Sequence, residues 1–156
     1  MALSEVPFRT SLVENAQWLV SRLWSRYVQS IVDVVNLCAR QIALVSKTTQ
    51  EAAITATAIP HGTLAPTVYR VSYAARITRA ASTSSSLTVT IGWTDGAVAQ
   101  TQGGAAMTGN ATTTQQNGTM LVHVDKATSI TYAAAYASSG GTTMQYSLYV
   151  LVEQIA

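Results

Sequence analysis

At 156 residues, with 10% charged residues and a net charge of +2, the chain fits one β-domain plus an extension. The positive excess lies in residues 1–47, and residues 48–156 are formally neutral, which leaves no basic face for phosphate neutralisation and argues against nucleic-acid binding. The single cysteine, Cys38, excludes an internal disulfide framework and a cysteine-built zinc site.

Residues 1–10 read as extended, because Pro7 disfavours helix just before it. Met1–Thr10 has no apolar core, so no signal peptide is expected and synthesis is assigned to a cytosol. The apolar run that follows carries Arg22, Arg26, Asp33 and Arg40. Each such charge costs ~2.5–3.5 kcal/mol or more at a bilayer centre, so no membrane span is expected.

Ser11 and Glu14 form a capping box, and a helix is predicted from Leu12 to about Val45. Its main stripe is Trp24, Val28, Ile31, Val35, Cys38, Ile42 and Val45, with gaps alternating between four and three. This is a heptad with Val28, Val35 and Ile42 at a, and Ile31, Cys38 and Val45 at d. β-Branched residues at both positions favour three strands over two, so a homotrimeric coil is predicted. Val13, Ala16, Val20, Leu23 and Tyr27 form an earlier stripe offset from it, as a stutter produces. Leu19, Val32, Val34, Leu37 and Leu44 fall off the seam and require cover from the head or a host assembly.

After Lys47 the hydrophobic period changes to two. Ala53–Ala58 reads as a short strand. In Val68–Thr78 one face carries Tyr69, Val71, Tyr73, Ala75 and Ile77, and the other Arg70, Ser72, Ala74 and Arg76. Leu87, Val89, Ile91 and Trp93 alternate with Thr88, Thr90 and Gly92. Asp95-Gly96 then predicts a tight hairpin into Val98–Thr101. Gly103-Gly104 and Gly109-Asn110 mark loops, and Asn117-Gly118 predicts a second hairpin leading into Met120–Val124. Ile130, Tyr132, Ala134 and Tyr136 form the next strand, Ser138–Thr142 a turn, and Tyr146, Leu148, Val150 and Val152 the last strand. Seven or eight short strands at regular spacing, without crossover helices, predict a β-sandwich or jelly roll. The division expected is an extended anchor at 1–11, a coiled-coil stalk at 12–47 and a jelly-roll head at 48–156.

The stretches Val68–Arg76, Ser86–Asp95, Ile130-Thr131-Tyr132 and Met144–Leu148 resemble a head domain of phage and prophage virion proteins. That head looks like the trimeric jelly roll of tumour-necrosis-factor and complement type. The resemblance implies an aromatic residue at the threefold axis, a part open to Tyr69, Tyr73 or Tyr146. Pro7–Val13, Trp18 and Leu23–Tyr27 are similar to the N-terminal segment of small phage structural proteins. Those carry an Asp-x-x-Gly turn before the tryptophans. Here Glu14-Asn15-Ala16-Gln17 stands in its place, which favours continuous helix.

No catalytic constellation is evident, and no enzyme activity or cofactor is expected. The histidines are His61 and His123; His123 reads as solvated or core-satisfied, with no second metal ligand signalled. Asp95 and Asp125 are assigned to turns. No nucleophile elbow or phosphate loop is present. Asn110-Ala111-Thr112 and Asn117-Gly118-Thr119 match the glycosylation pattern by chance.

Phe8, Arg9, Trp18, Trp24 and Tyr27 are candidate virion anchors, since aromatic residues and Arg dominate buried interfaces; the alternative is that the rings fill the base of the coil. Tyr69, Tyr73, Trp93, Tyr132 and Tyr146 are candidates for the head's trimer or surface contacts. The expected function is a short homotrimeric head fibre or decoration protein of a phage virion, partnered by other virion proteins. A tail fibre, needle or plug is one alternative. Another is a carbohydrate-binding module, with a groove lined by Tyr132, Tyr136 or Trp93, contacting a host glycan or receptor.

Overall fold

The computed structural model describes residues 22–31, 40–60, 64, 66–125 and 128–155. The chain divides into two units, Met1–Cys38 and Ala39–Ala156.

In the first unit residues 22–31 form one helix, α1. At ~100° per residue, Leu23, Trp24, Tyr27, Val28 and Ile31 fall within an arc of roughly 140°. Arg22, Ser25, Arg26, Gln29 and Ser30 occupy the opposite arc. This stretch is amphipathic, yet residues 22–31 are all exposed.

The described residues of the second unit form eight strands: β1 (Arg40–Gln50), β2 (Ile54–Ala58), β3 (Thr67–Arg79), β4 (Ser84–Asp95), β5 (Val98–Gly103), β6 (Gln115–Val124), β7 (Thr131–Ser139) and β8 (Gln145–Gln154). They pair antiparallel into two four-stranded sheets, β1-β8-β3-β6 and β2-β7-β4-β5. Except at the β4–β5 hairpin, successive strands alternate between sheets, which is the connectivity of a jelly roll. The mainly β, two-sheet reading of the head therefore holds.

The core follows the predicted parity. Tyr69, Val71, Tyr73, Ala75 and Ile77 of β3 are buried, as are Tyr146, Leu148, Val150 and Val152 of β8. Leu87, Val89 and Ile91 of β4, with Tyr132 and Ala134 of β7, face them from the other sheet's strands. Each fully buried aliphatic side chain contributes about 1.5–3 kcal/mol relative to exposure.

Three expectations are corrected. The predicted helix does not reach Val45, because residues 40–47 belong to β1. Ile42 and Val45 are therefore strand residues and not coil positions; Val45 and Ala43 are buried in the sandwich. Over so short a window β-branched spacing fits a strand as well as a helix, and pairing with β8 from Arg40↔Gln154 to Gln50↔Tyr146 decides it. The head accordingly begins near residue 40 instead of 48. Val35 and Cys38 lie outside the described residues.

The second correction concerns Asn117-Gly118, which lies within β6 and makes no turn. Gly118 stands opposite Tyr73 in the β3–β6 ladder. A methyl group added there would come within 2.6–2.8 Å of the Tyr73 ring and hydroxyl. Gly118 is thus a seat for a cross-strand aromatic ring, a device distinct from turn formation. The predicted Asp95-Gly96 hairpin does form: Asp95 pairs with Val98 across Gly96 (φ 56°) and Ala97 (φ 60°).

The third correction concerns the rings assigned to contacts. Tyr69, Tyr73, Tyr132 and Tyr146 are 1%, 6%, 3% and 0% exposed, so they fill the sandwich and present nothing outward. Trp93 is partly buried against the same core.

Candidate functional site

With those rings inside, the exposed apolar groups define the candidate surfaces. On α1, Leu23, Trp24, Tyr27, Val28 and Ile31 are 45–63% exposed. Trp24 and Tyr27 meet edge to face, with ring centroids 6.0 Å apart and planes at 86°. Leu23, Trp24 and Tyr27 line an open apolar hollow of about 300 Å³. An exposed apolar stripe of this size calls for a partner surface. Of the proposed anchors, the structure places Trp24 and Tyr27 together. Phe8, Arg9 and Trp18 lie outside the described residues. Of the proposed coil positions, Val28 and Ile31 are on the same exposed stripe.

The outer face of the β1-β8-β3-β6 sheet is the second surface. Leu44, Leu121 and Tyr149 stand out from it, exposed by 56%, 66% and 44%. Register places Leu44 beside Leu151, and Tyr149 between Ser46 and Ala74. Arg70 crosses the face to Glu153 at 2.8 Å, and the carboxylate holds the guanidinium above its ordinary value through a hydrogen bond and its charge. At the end of the sheet Glu51 accepts from Gln145 at 2.6 Å and Thr143 at 3.1 Å, and pairs with Arg79 at 2.8 Å. Those bonds, led by Gln145, lower its pKa below the usual carboxylate value.

A third cluster joins the β4–β5 hairpin to β6. His123 Nδ1 lies 2.8 Å from Asp95 Oδ1, and Ala97 N–H donates to Asp125 Oδ2 at 2.7 Å. Ligand atoms of Asp95, His123 and Asp125 fall within 4.8 Å of one another. His123 is therefore an exposed, carboxylate-paired imidazole, and Asp125 holds the Ala97 turn instead of only ending β6. His61 lies outside the described residues.

Two of the rings assigned to a sugar groove are engaged within the sandwich. Tyr132 is buried, and Tyr136 donates its hydroxyl to Met144 O at 2.8 Å, packed 6.0 Å from Tyr146. Asn110 uses its side chain internally: Nδ2 donates to Ala81 O at 2.7 Å, and Oδ1 accepts from Ala81 N at 2.8 Å and Ser85 Oγ at 3.0 Å. Among the described residues no helix is long and apolar enough to cross a membrane.

No family model and no curated protein matches the sequence. Among solved structures the chain is similar to a chain in the structure of the infectious bursal disease virus Gt strain. The TM-score is 0.41 at 18% identity, over 76% of this chain and 38% of the other. This chain thus spans well under half the length of that one.

Proposed function

We propose that the chain is a virion structural protein of phage type: a homotrimer whose N-terminal segment docks on the particle and whose jelly roll projects as a short head fibre or decoration. The observation that carries this reading is the five-residue apolar stripe of α1, exposed on a unit separate from a head that has a complete core of its own. Such a stripe is stable when it packs against copies of itself or into a socket. Trp24, Val28 and Ile31 retain the four-three spacing of a coil seam, while Trp24 and Tyr27 supply the ring pair that dominates buried contacts.

Sedimentation equilibrium of the full chain tests the trimer, with an expected mass about three times 16.5 kDa at micromolar concentration. A monomer overturns it. The joint substitution Trp18→Ala and Trp24→Ala tests docking. The variant should sediment as a trimer and be lost from purified particles; normal incorporation sinks the anchoring role.

A further inference from the structure

The outer face of the β1-β8-β3-β6 sheet holds a depression of about 320 Å³ whose make-up follows from cross-strand register. One row across the sheet reads Asn117, Ala74, Tyr149. The adjacent row reads Gln115, Arg76, Ser147. Ala74 contributes only a methyl group to the middle of its row, so Asn117 and Tyr149 stand as walls around a gap. Ser147 forms the floor at 5% exposure. Beside it the β1–β8 ladder is interrupted between Lys47 and Gln50, where Thr49 takes a φ of 54°.

Gln116 donates its amide to Ala105 O at 2.9 Å, and the other polar side chains that line this depression have no partner among the described residues. Among the described residues, Arg70 pairs with Glu153 and Arg79 with Glu51, whereas Arg76 makes no ion pair or side-chain hydrogen bond. Among the described residues, Gln115, Asn117 and Ser147 likewise have no side-chain hydrogen bond. A hydroxyl at the base of an open hollow can both accept and donate. Among the described residues no carboxylate lines the depression, and Arg76 is its one charged group.

We propose that this depression binds an acidic sugar unit of a surface glycan. The half-exposed Tyr149 ring offers its electron-rich face to the C–H face of a pyranose. The Arg76 fork matches a sugar carboxylate. Asn117, Gln115 and Ser147 supply the convergent amide and hydroxyl groups that orient ring hydroxyls. A purely apolar partner would leave all four polar side chains desolvated and unpaired, and a second copy of this face would bring Arg76 toward like charge. The site needs only the isolated chain, so it stands or falls apart from the virion reading.

Saturation-transfer NMR on the full chain tests it, with the methyl glycosides of N-acetylneuraminic acid and glucuronic acid as probes and methyl glucoside as the neutral comparison. The acidic sugars should receive saturation, and Tyr149→Ala should abolish it. Arg76→Gln should weaken acidic-sugar binding about 10–100-fold, the worth of one charge-assisted hydrogen bond. Both positions are exposed, so unchanged thermal unfolding serves as the folding check. Absence of transfer to either acidic sugar overturns the proposal, as does transfer untouched by both substitutions. Equal binding of methyl glucoside overturns the acidic assignment. A smaller sedimenting mass for Tyr149→Ala would assign the face to contact between copies and overturn it too.

Discussion

Gly118 offers the sharpest test of how this sandwich is packed. Its backbone is not in the left-handed region, so no turn requires a glycine there. Alanine should by propensity gain about 0.5–1 kcal/mol in a strand. The Tyr73 ring reverses that sign. The new methyl would lie 2.6 Å from Cε1 and 2.7 Å from Cζ, inside any real contact distance, and the ring is 6% exposed with little room to yield. Overpacking of this kind costs about 1–3 kcal/mol. Gly118→Ala should therefore lower stability by roughly that amount, moving the melting temperature by ~2–8 °C per kcal/mol. Tyr73→Val alone should cost about 2–5 kcal/mol as a large-to-small core change. In that background the methyl has space, and Gly118→Ala should become neutral or stabilising by up to ~1 kcal/mol. Urea unfolding of the four proteins at one fixed concentration gives the cycle. Equal cost of Gly118→Ala in both backgrounds would refute the seat.

Other consequences are equally accessible. Leu148→Ala, at a fully buried position in β8, should cost about 2–5 kcal/mol by urea unfolding, whereas Leu121→Ala on the exposed face should stay within ~0.5 kcal/mol. Ala97→Gly should stabilise the head by about 0.5–1 kcal/mol in the same assay, because φ 60° penalises a Cβ that glycine lacks. The lowered pKa of Glu51 implies stability present above the ordinary value of 4.5 and lost as pH falls through the folded one; Glu51→Gln should flatten that limb of a melting-temperature profile. Burial, with smaller effects from Tyr136 and Tyr132, pushes the Tyr146 phenol up to about 12. Its contribution is complete below 10 and disappears as pH rises from 10 toward 12, so one tyrosine should ionise late in an ultraviolet titration and Tyr146→Phe should remove that step.

Much of the head was legible because alternation is a local signal. The inward sets of β3, β4 and β8 could be read directly, and Asp95-Gly96 turns as its chemistry requires. Alternation does not reveal what the buried face touches, however, and the tyrosines read as contact residues turned out to be the filling of the sandwich. Asn117-Gly118 carries the same local turn chemistry as Asp95-Gly96. Its strand role depends on Tyr73, more than forty residues earlier in the chain, and no local rule reaches that far. At residues 40–47 a heptad and a strand share the same β-branched residues, and the tie is broken by β8, more than one hundred residues away. The depression on the outer face was not legible at all. Residues 74, 76, 115, 117, 147 and 149 belong to three strands and meet only through register.

The pairing of β1 with β8 bears on how the head would carry tension. A pull from the N-terminal unit reaches the head at Arg40, at one end of β1. The Tyr149 row crosses β1 at Ser46, six residues further along, or roughly 20 Å at strand rise. A tether held between those points draws on β1 lengthwise, sliding it against β8 and straining the intervening hydrogen bonds together. A pull at right angles would open the same bonds one after another, like a zipper. The order of the strands thus sets the first against the second, and gives an edge strand the resistance of the whole ladder.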